Sequence, residues 1–184
     1  MFTEHTEQTA PEASARLLKG VKEKMGFVPA LYSYIAESPT AIQAYNELNS
    51  LLGDSSLTPQ QEQIALLATS VENQCRFCVA AHSAGSTKAK VDPAIIEAVR
   101  AGKKPAGDTF SALVTFTQTL VRERGWASDV DVKAFIDAGF SKAAVFDVLT
   151  AVALKTLSNY SNHLTQPALN PELESFVWAP PSAS

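Results

Sequence analysis

The sequence is poor in the residues that usually announce chemistry. Its 184 residues include only two cysteines, three histidines, two methionines and two tryptophans. Two cysteines cannot build the multiply cross-linked scaffold of a small secreted domain. The 15 basic residues form no block and the formal net charge is −4, so the electrostatic footprint of a nucleic-acid binder is missing. No apolar run approaches the ~20 residues that span a membrane as a helix. The start, Met1-Phe2-Thr3-Glu4-His5, has neither a charged n-region nor an apolar h-region, and no secretory signal is read there. The expected setting is a reducing cytoplasm. There, a close cysteine pair is more often redox-active or metal-binding than a structural staple.

Strand alternation is missing as well. At 46% hydrophobic and 18% charged residues, there is material for one packed interior, and residues 1–184 are expected to form a single domain. The polar stretch 1–11, ending at Pro11, reads as a loose arm with a solvated His5. Helices are expected over 12–25, 30–37 and 39–52, punctuated by Gly26-Phe27-Val28-Pro29 and Ser38-Pro39. Thr58 as N-cap with Pro59 behind it starts a further helix. The run Ile64 to Ala68 is wholly apolar and reads as a buried helix. That helix is expected to end near Glu72-Asn73, with another from about Gln74 to a break at Gly85. Asp92-Pro93, Asp108, Ser128 and Ser141 start the helices expected at 93–100, 109–124, 129–138 and 142–163, and Trp178 reads as a terminal anchor. The fold class is all-α.

There is also a faint internal repeat. The segment 57–85 leads from Leu57-Thr58-Pro59 through an apolar helix to Cys75, Cys78 and His82. The segment 140–165 leads from Phe140-Ser141-Lys142 through an apolar helix to Thr156, Asn159 and His163. The reading is a duplicated helical unit with one half stripped of its thiols.

Both cysteines fall in Glu72-Asn73-Gln74-Cys75-Arg76-Phe77-Cys78-Val79-Ala80-Ala81-His82. On a helix, positions 72, 75, 78 and 82 would share one face. The thiolate is the reactive form of cysteine, and it needs a proton acceptor and a polar or positive setting. His82, one turn beyond Cys78, titrates in the right range to move protons at neutral pH. Glu72 on the same stripe could hold the imidazole proton. A second thiol gives a sulfenic acid a way out as a disulfide. Zinc is the main competing reading, with the two thiolates, the imidazole and the carboxylate as ligands, but structural zinc usually draws on two separated pairs. Covalent haem attachment needs a histidine directly after the second cysteine, where Val79 stands. Two buried core cysteines are the plainest alternative, against which the polar company of Glu72, Asn73, Gln74 and Arg76 counts. Tyr32, Tyr34 and Tyr45 read as packing residues that could line a pocket, and Arg76 as a surface charge.

With those residues, the segment Val71 to Ser83 resembles the CxxC-x3-His signature of the AhpD-like / carboxymuconolactone decarboxylase superfamily. The Leu57-Thr58-Pro59 start, Gly26-Phe27-Val28-Pro29 and Asn159-Tyr160-Ser161-Asn162-His163 are similar to members of this length. The resemblance implies an all-helical bundle, a homo-oligomer (trimer or hexamer) and thiol-dependent reduction of small hydroperoxides. It implies Cys78 as the attacking thiol, Cys75 as the resolving thiol, and His82 with a glutamate as proton relay. No metal or other cofactor is implied; an external dithiol such as lipoamide or thioredoxin would supply electrons. In relatives the relay glutamate lies where this chain has Gln63, so Glu72 is assigned the role. Two other outcomes stay open: a non-redox lyase or isomerase using His82 as base, and a non-catalytic thiol redox sensor.

Overall fold

The computed structural model describes residues 1–180; residues 181–184 of the expected domain lie outside the described residues. It contains α1 (Glu12–Met25), α2 (Ala30–Ile35), α3 (Pro39–Gly53), α4 (Pro59–Glu72), α5 (Arg76–Lys88), α6 (Pro93–Arg100), α7 (Asp108–Arg122), α8 (Asp129–Asp137) and α9 (Lys142–Thr165), then a 3-10 turn over Pro171–Phe176. No strand occurs among the described residues, so the all-α expectation holds.

The helix starts follow local chemistry. Ser38, Thr58, Asp92, Ser128 and Ser141 each accept a hydrogen bond from a backbone N–H of the first turn, which removes one unsatisfied donor per helix. Proline follows directly at 39, 59 and 93, where its missing N–H costs nothing. Thr58 with Gln61 and Ser128 with Asp131 close reciprocal capping boxes.

Helix α4 is the centre of the molecule. Every residue from Ile64 to Val71 is buried, and α5, α6, α7 and α9 pack around it. A helix apolar on all sides must be enclosed in this way. Ala65 and Ala68 allow close approach. The buried hydroxyls of Thr69 and Ser70 donate to the carbonyls of Ala65 and Leu66 at 2.9 and 2.7 Å, which removes most of the cost of burying them. Across the core, the rings of Phe116, Phe135 and Phe140 stack with centroids 4.4 and 4.1 Å apart, tying α7, α8 and the approach to α9 together.

Three expectations change. The arm is not loose at its middle, and His5 is not solvated: its ring bridges the carbonyl of Thr9 at 3.1 Å and the carboxylate of Glu37 at 2.9 Å, and its backbone N–H donates to the Ser33 carbonyl at 3.1 Å. Glu37 and Ser33 lie too far away in sequence to leave a local signal. Gly85 does not break a helix; it lies inside α5. The two halves of the repeat also differ in build, because α4 and α5 are separate helices whereas α9 runs unbroken. Trp178 anchors on its own chain, its indole N–H donating to the Arg100 carbonyl at 2.8 Å.

Phe135 is nearly fully buried between two stacked rings, and Phe135→Ala is expected to lower unfolding free energy by about 3–5 kcal/mol. Urea denaturation followed by circular dichroism checks this; a loss below about 1 kcal/mol would mean the stack carries little of the core.

Candidate active site at the paired cysteines

The chain between α4 and α5 turns sharply. Asn73 closes α4, Gln74 adopts φ 55°, and Cys75 is the N-cap of α5. Cys75 and Cys78 therefore sit at the first turn of a helix, where unpaired N–H groups and the helix dipole favour a thiolate. The same turn corrects the expected stripe. Glu72 ends α4, and its carboxylate accepts two hydrogen bonds from Arg122 of α7, at 2.6 and 2.7 Å. The turn separates it from the α5 face that carries His82, and the arginine fork occupies both of its oxygens. The structure brings Cys75 and Cys78 together, and leaves Glu72 out of their hydrogen-bonding group.

Helix α9 supplies what surrounds the sulfurs. Cys75 and Cys78 are 2% and 1% exposed. The side-chain amide of Asn162 donates Nδ2–H toward both, at 3.2 Å from Cys78 Sγ and 3.7 Å from Cys75 Sγ. Ser158 Oγ lies 4.0 Å from Cys78 Sγ. Asn159 accepts from Asn73 at 2.9 Å and keeps a buried, unpaired Nδ2. Lys155 is 1% exposed and joins no ion pair among the described residues. Residues 155, 158, 159 and 162 form one inward stripe of α9.

This setting splits the two thiols. Burial pushes Cys78 up, but a hydrogen bond from Cys75, the nearby Lys155 ammonium and the Asn159 amide outweigh it and bring Cys78 down to about 5. Cys75 is pushed far up, first by donating its proton to Cys78 and then by burial. The two titrate as a unit, with one proton held on the Cys75 side. Tyr45 stays a neutral phenol, because burial and the charge of Cys78 both push it up.

His82 pairs with Gln63. The Gln63 amide nitrogen lies 3.4 Å from Glu62 Oε1, an acceptor, which turns its oxygen toward His82 Nδ1 at 3.2 Å. Nδ1 is therefore the donor and Nε2 the free base. Burial, and next the charge of Lys155, hold the imidazole well below its usual range, so it is neutral. Gly85 makes the pairing possible, since a Cβ there would meet Gln63 Oε1 at 2.2 Å.

Sequence reasoning missed Lys155 and Asn162. In Ala153-Leu154-Lys155-Thr156 a lysine reads as a solvated face. The available signal was polar spacing at i, i+3, i+4 and i+7 inside an otherwise apolar helix. Asn159 proves to be part of the site, whereas His163 is exposed at its edge, its ring centroid 6.1 Å from that of Tyr160. Among the described residues no three His, Cys, Asp or Glu side chains converge as metal ligands, and no helix is long and apolar enough to cross a membrane.

The carboxymuconolactone decarboxylase family model matches residues 39–119, which include both cysteines and His82. No curated protein matches the chain. Among solved structures, a peroxidase-related protein of Ralstonia eutropha JMP134, described as an alkylhydroperoxidase AhpD core, is similar at 23% identity and TM-score 0.84, over 94% of this chain and 93% of that one. A peroxidase-related protein of Silicibacter sp. TM1040 is similar at 20% identity and TM-score 0.77, over 89% and 87%. The debrominase Bmp8, in a variant complexed with 2,3,4-tribromopyrrole, is similar at 13% identity and TM-score 0.79, over 96% and 95%. These likenesses establish the fold.

Nitrogen NMR of His82 is expected to show the Nδ1–H tautomer, with the imidazolium appearing only as pH falls well below 6.5. Gly85→Ala should displace the Gln63 oxygen and give a mixed tautomer. An Nε2–H tautomer in the wild type would contradict the pairing.

Proposed function

We propose, from the match of residues 39–119 to the carboxymuconolactone decarboxylase family model, that this chain is a thiol-dependent hydroperoxide reductase of the AhpD-like kind. The observation that carries this reading is the buried pair of Cys75 and Cys78 with the Asn162 amide donating toward both sulfurs, a setting in which the hydrogen bond from Cys75 and the charge of Lys155 draw Cys78 down and Cys75 is pushed up. That is a nucleophile and its resolving partner in the charge states the chemistry requires.

The Cys78 thiolate attacks the outer oxygen of the peroxide, the O–O bond breaks, and an alkoxide leaves. Oxidation converts the Cys78 anion into a neutral sulfenic acid, and Lys155 then holds a buried charge without a counter-ion. Its proton passes to the alkoxide, which leaves as the alcohol, and the site is neutral throughout. Cys75 next attacks the sulfenic sulfur; its proton goes to the departing hydroxide, and water and a Cys75–Cys78 disulfide result. An external dithiol such as lipoamide or thioredoxin returns two electrons. His82, neutral with Nε2 free, takes the place of a proton exchange group between site and solvent. Gln63 orients it but carries no proton, and Glu72 has no part in the cycle. Self-association belongs to the same reading, supported by the exposed Phe146, Leu149, Tyr160 and Leu164 along α9.

Cys78→Ser is expected to abolish peroxide consumption with dihydrolipoamide as donor, at least a hundredfold, while Cys75→Ser permits one turnover and then stops as the sulfenic acid. Peroxide consumption and mass spectrometry of the trapped cysteine check both. Full multiple-turnover activity in Cys78→Ser would sink the assignment, and unchanged turnover of a lactone in both variants would transfer it to a lyase.

A further inference from the structure

The dithiol is enclosed on the Cys78 side and borders a cleft on the Cys75 side. That cleft, about 390 Å³, is lined by Gln74, Cys75, Arg76, Asn162, His163 and Gln166 among others. Cys78, Lys155 and Ser158 do not reach it. Two independent features of its wall point to a ligand. Arg76 is exposed and joins no ion pair among the described residues. Asn162 is nearly fully buried, and while its Nδ2 serves the sulfurs its Oδ1 has no hydrogen-bond partner.

Building on the dithiol reading, we infer that this cleft receives the reductant, that the reductant is a small thiol bearing a carboxylate, and that it attacks Cys75 rather than Cys78. Arg76 matches the carboxylate. Asn162 Oδ1 is available to a thiol S–H or an amide N–H of the incoming molecule. The attacking thiol gives up its proton, which restores the Lys155 ammonium, and its thiolate forms a bond to Cys75 Sγ; the Cys75–Cys78 bond breaks, and the electron pair departs with Cys78 as a thiolate. Exchange favours the leaving group whose thiolate is better stabilised, and Cys78 leaves into the donors of Asn162 and Lys155. A second thiol of the reductant then attacks its own sulfur in the mixed disulfide, and Cys75 leaves and takes a proton. The reductant ends as a disulfide, and the protein regains its starting protonation.

The test separates this step from peroxide chemistry. The full chain is oxidised with diamide and then reduced in a single turnover by dihydrolipoate or by dihydrolipoamide, two dithiols that differ in one negative charge. Dihydrolipoate is expected to react about three- to fivefold faster, the effect of one partly exposed ion pair, and the ratio should shrink as salt is raised. Arg76→Gln should bring the ratio to about one. With glutathione and rapid alkylation, the glutathione adduct should map to Cys75 and the alkyl group to Cys78. Equal rates in the wild type, a ratio that survives in Arg76→Gln, or an adduct on Cys78 would overturn the inference and leave the peroxidase reading standing. Failure of diamide to form the disulfide would overturn both.

Discussion

A buried lysine facing a buried thiolate is the constraint on which the rest of the site depends. Neither charge is tolerable alone in the interior: removing one partner of such a pair costs about 3–5 kcal/mol, because the other is left uncompensated. Lys155 therefore needs an anion, and among the described residues it pairs with no carboxylate. Cys78 answers that need. The hydrogen bond from Cys75 does most to hold the charge on Cys78, Lys155 comes next, and the Asn159 amide adds to them; Asn162 also donates toward the Cys78 sulfur at 3.2 Å. The surrounding fold reads as support for that pair: α4 as an apolar wall, α5 presenting the two thiols at its first turn, α9 presenting the lysine and the amides.

This coupling makes oxidation an electrostatic event. Each path that turns the Cys78 thiolate into a neutral species, whether sulfenic acid or disulfide, removes the counter-ion of Lys155. The proposed proton transfer to the alkoxide is the response that leaves no charge stranded. The reverse holds on reduction, when a proton from the reductant returns to Lys155 as the Cys78 thiolate re-forms, so that both charges reappear together. The same logic explains why His82 can work without a carboxylate behind it. Where Lys155 holds the thiolate in advance, the imidazole is spared from extracting a proton from Cys78, and Gln63 need only fix its tautomer.

The fold was largely legible in the sequence because its signals are local. Thr58-Pro59, Asp92-Pro93 and Ser141 mark helix starts by chemistry confined to one turn, and each lies where the structure begins a helix. The spacing of the paired cysteines and His82 stands out in the sequence for the same reason. For Glu72, helical spacing does not carry across Asn73 and Gln74, where a left-handed residue resets the direction of the chain. Its true partner, Arg122, lies 50 residues away. Lys155 and Asn162 were missed because their role exists only after α9 packs on α5. In sequence a lysine among apolar residues has the look of a solvated one, and burial against a thiol is a tertiary fact. Gly85, read as a break, proves to be the space that a glutamine from a neighbouring helix occupies.

The central claim, that Lys155 holds Cys78 as a thiolate, is tested most directly by titrating the ultraviolet absorbance of the thiolate in the reduced protein and in Lys155→Met, with folding confirmed by circular dichroism. Because the shift on Cys78 is downward, the wild-type absorbance should be present at neutral pH and lost as pH falls through about 5. In Lys155→Met the midpoint should move up from about 5, because the second-largest of the effects that draw Cys78 down is removed. A folded Lys155→Met protein that titrates like the wild type would contradict the account.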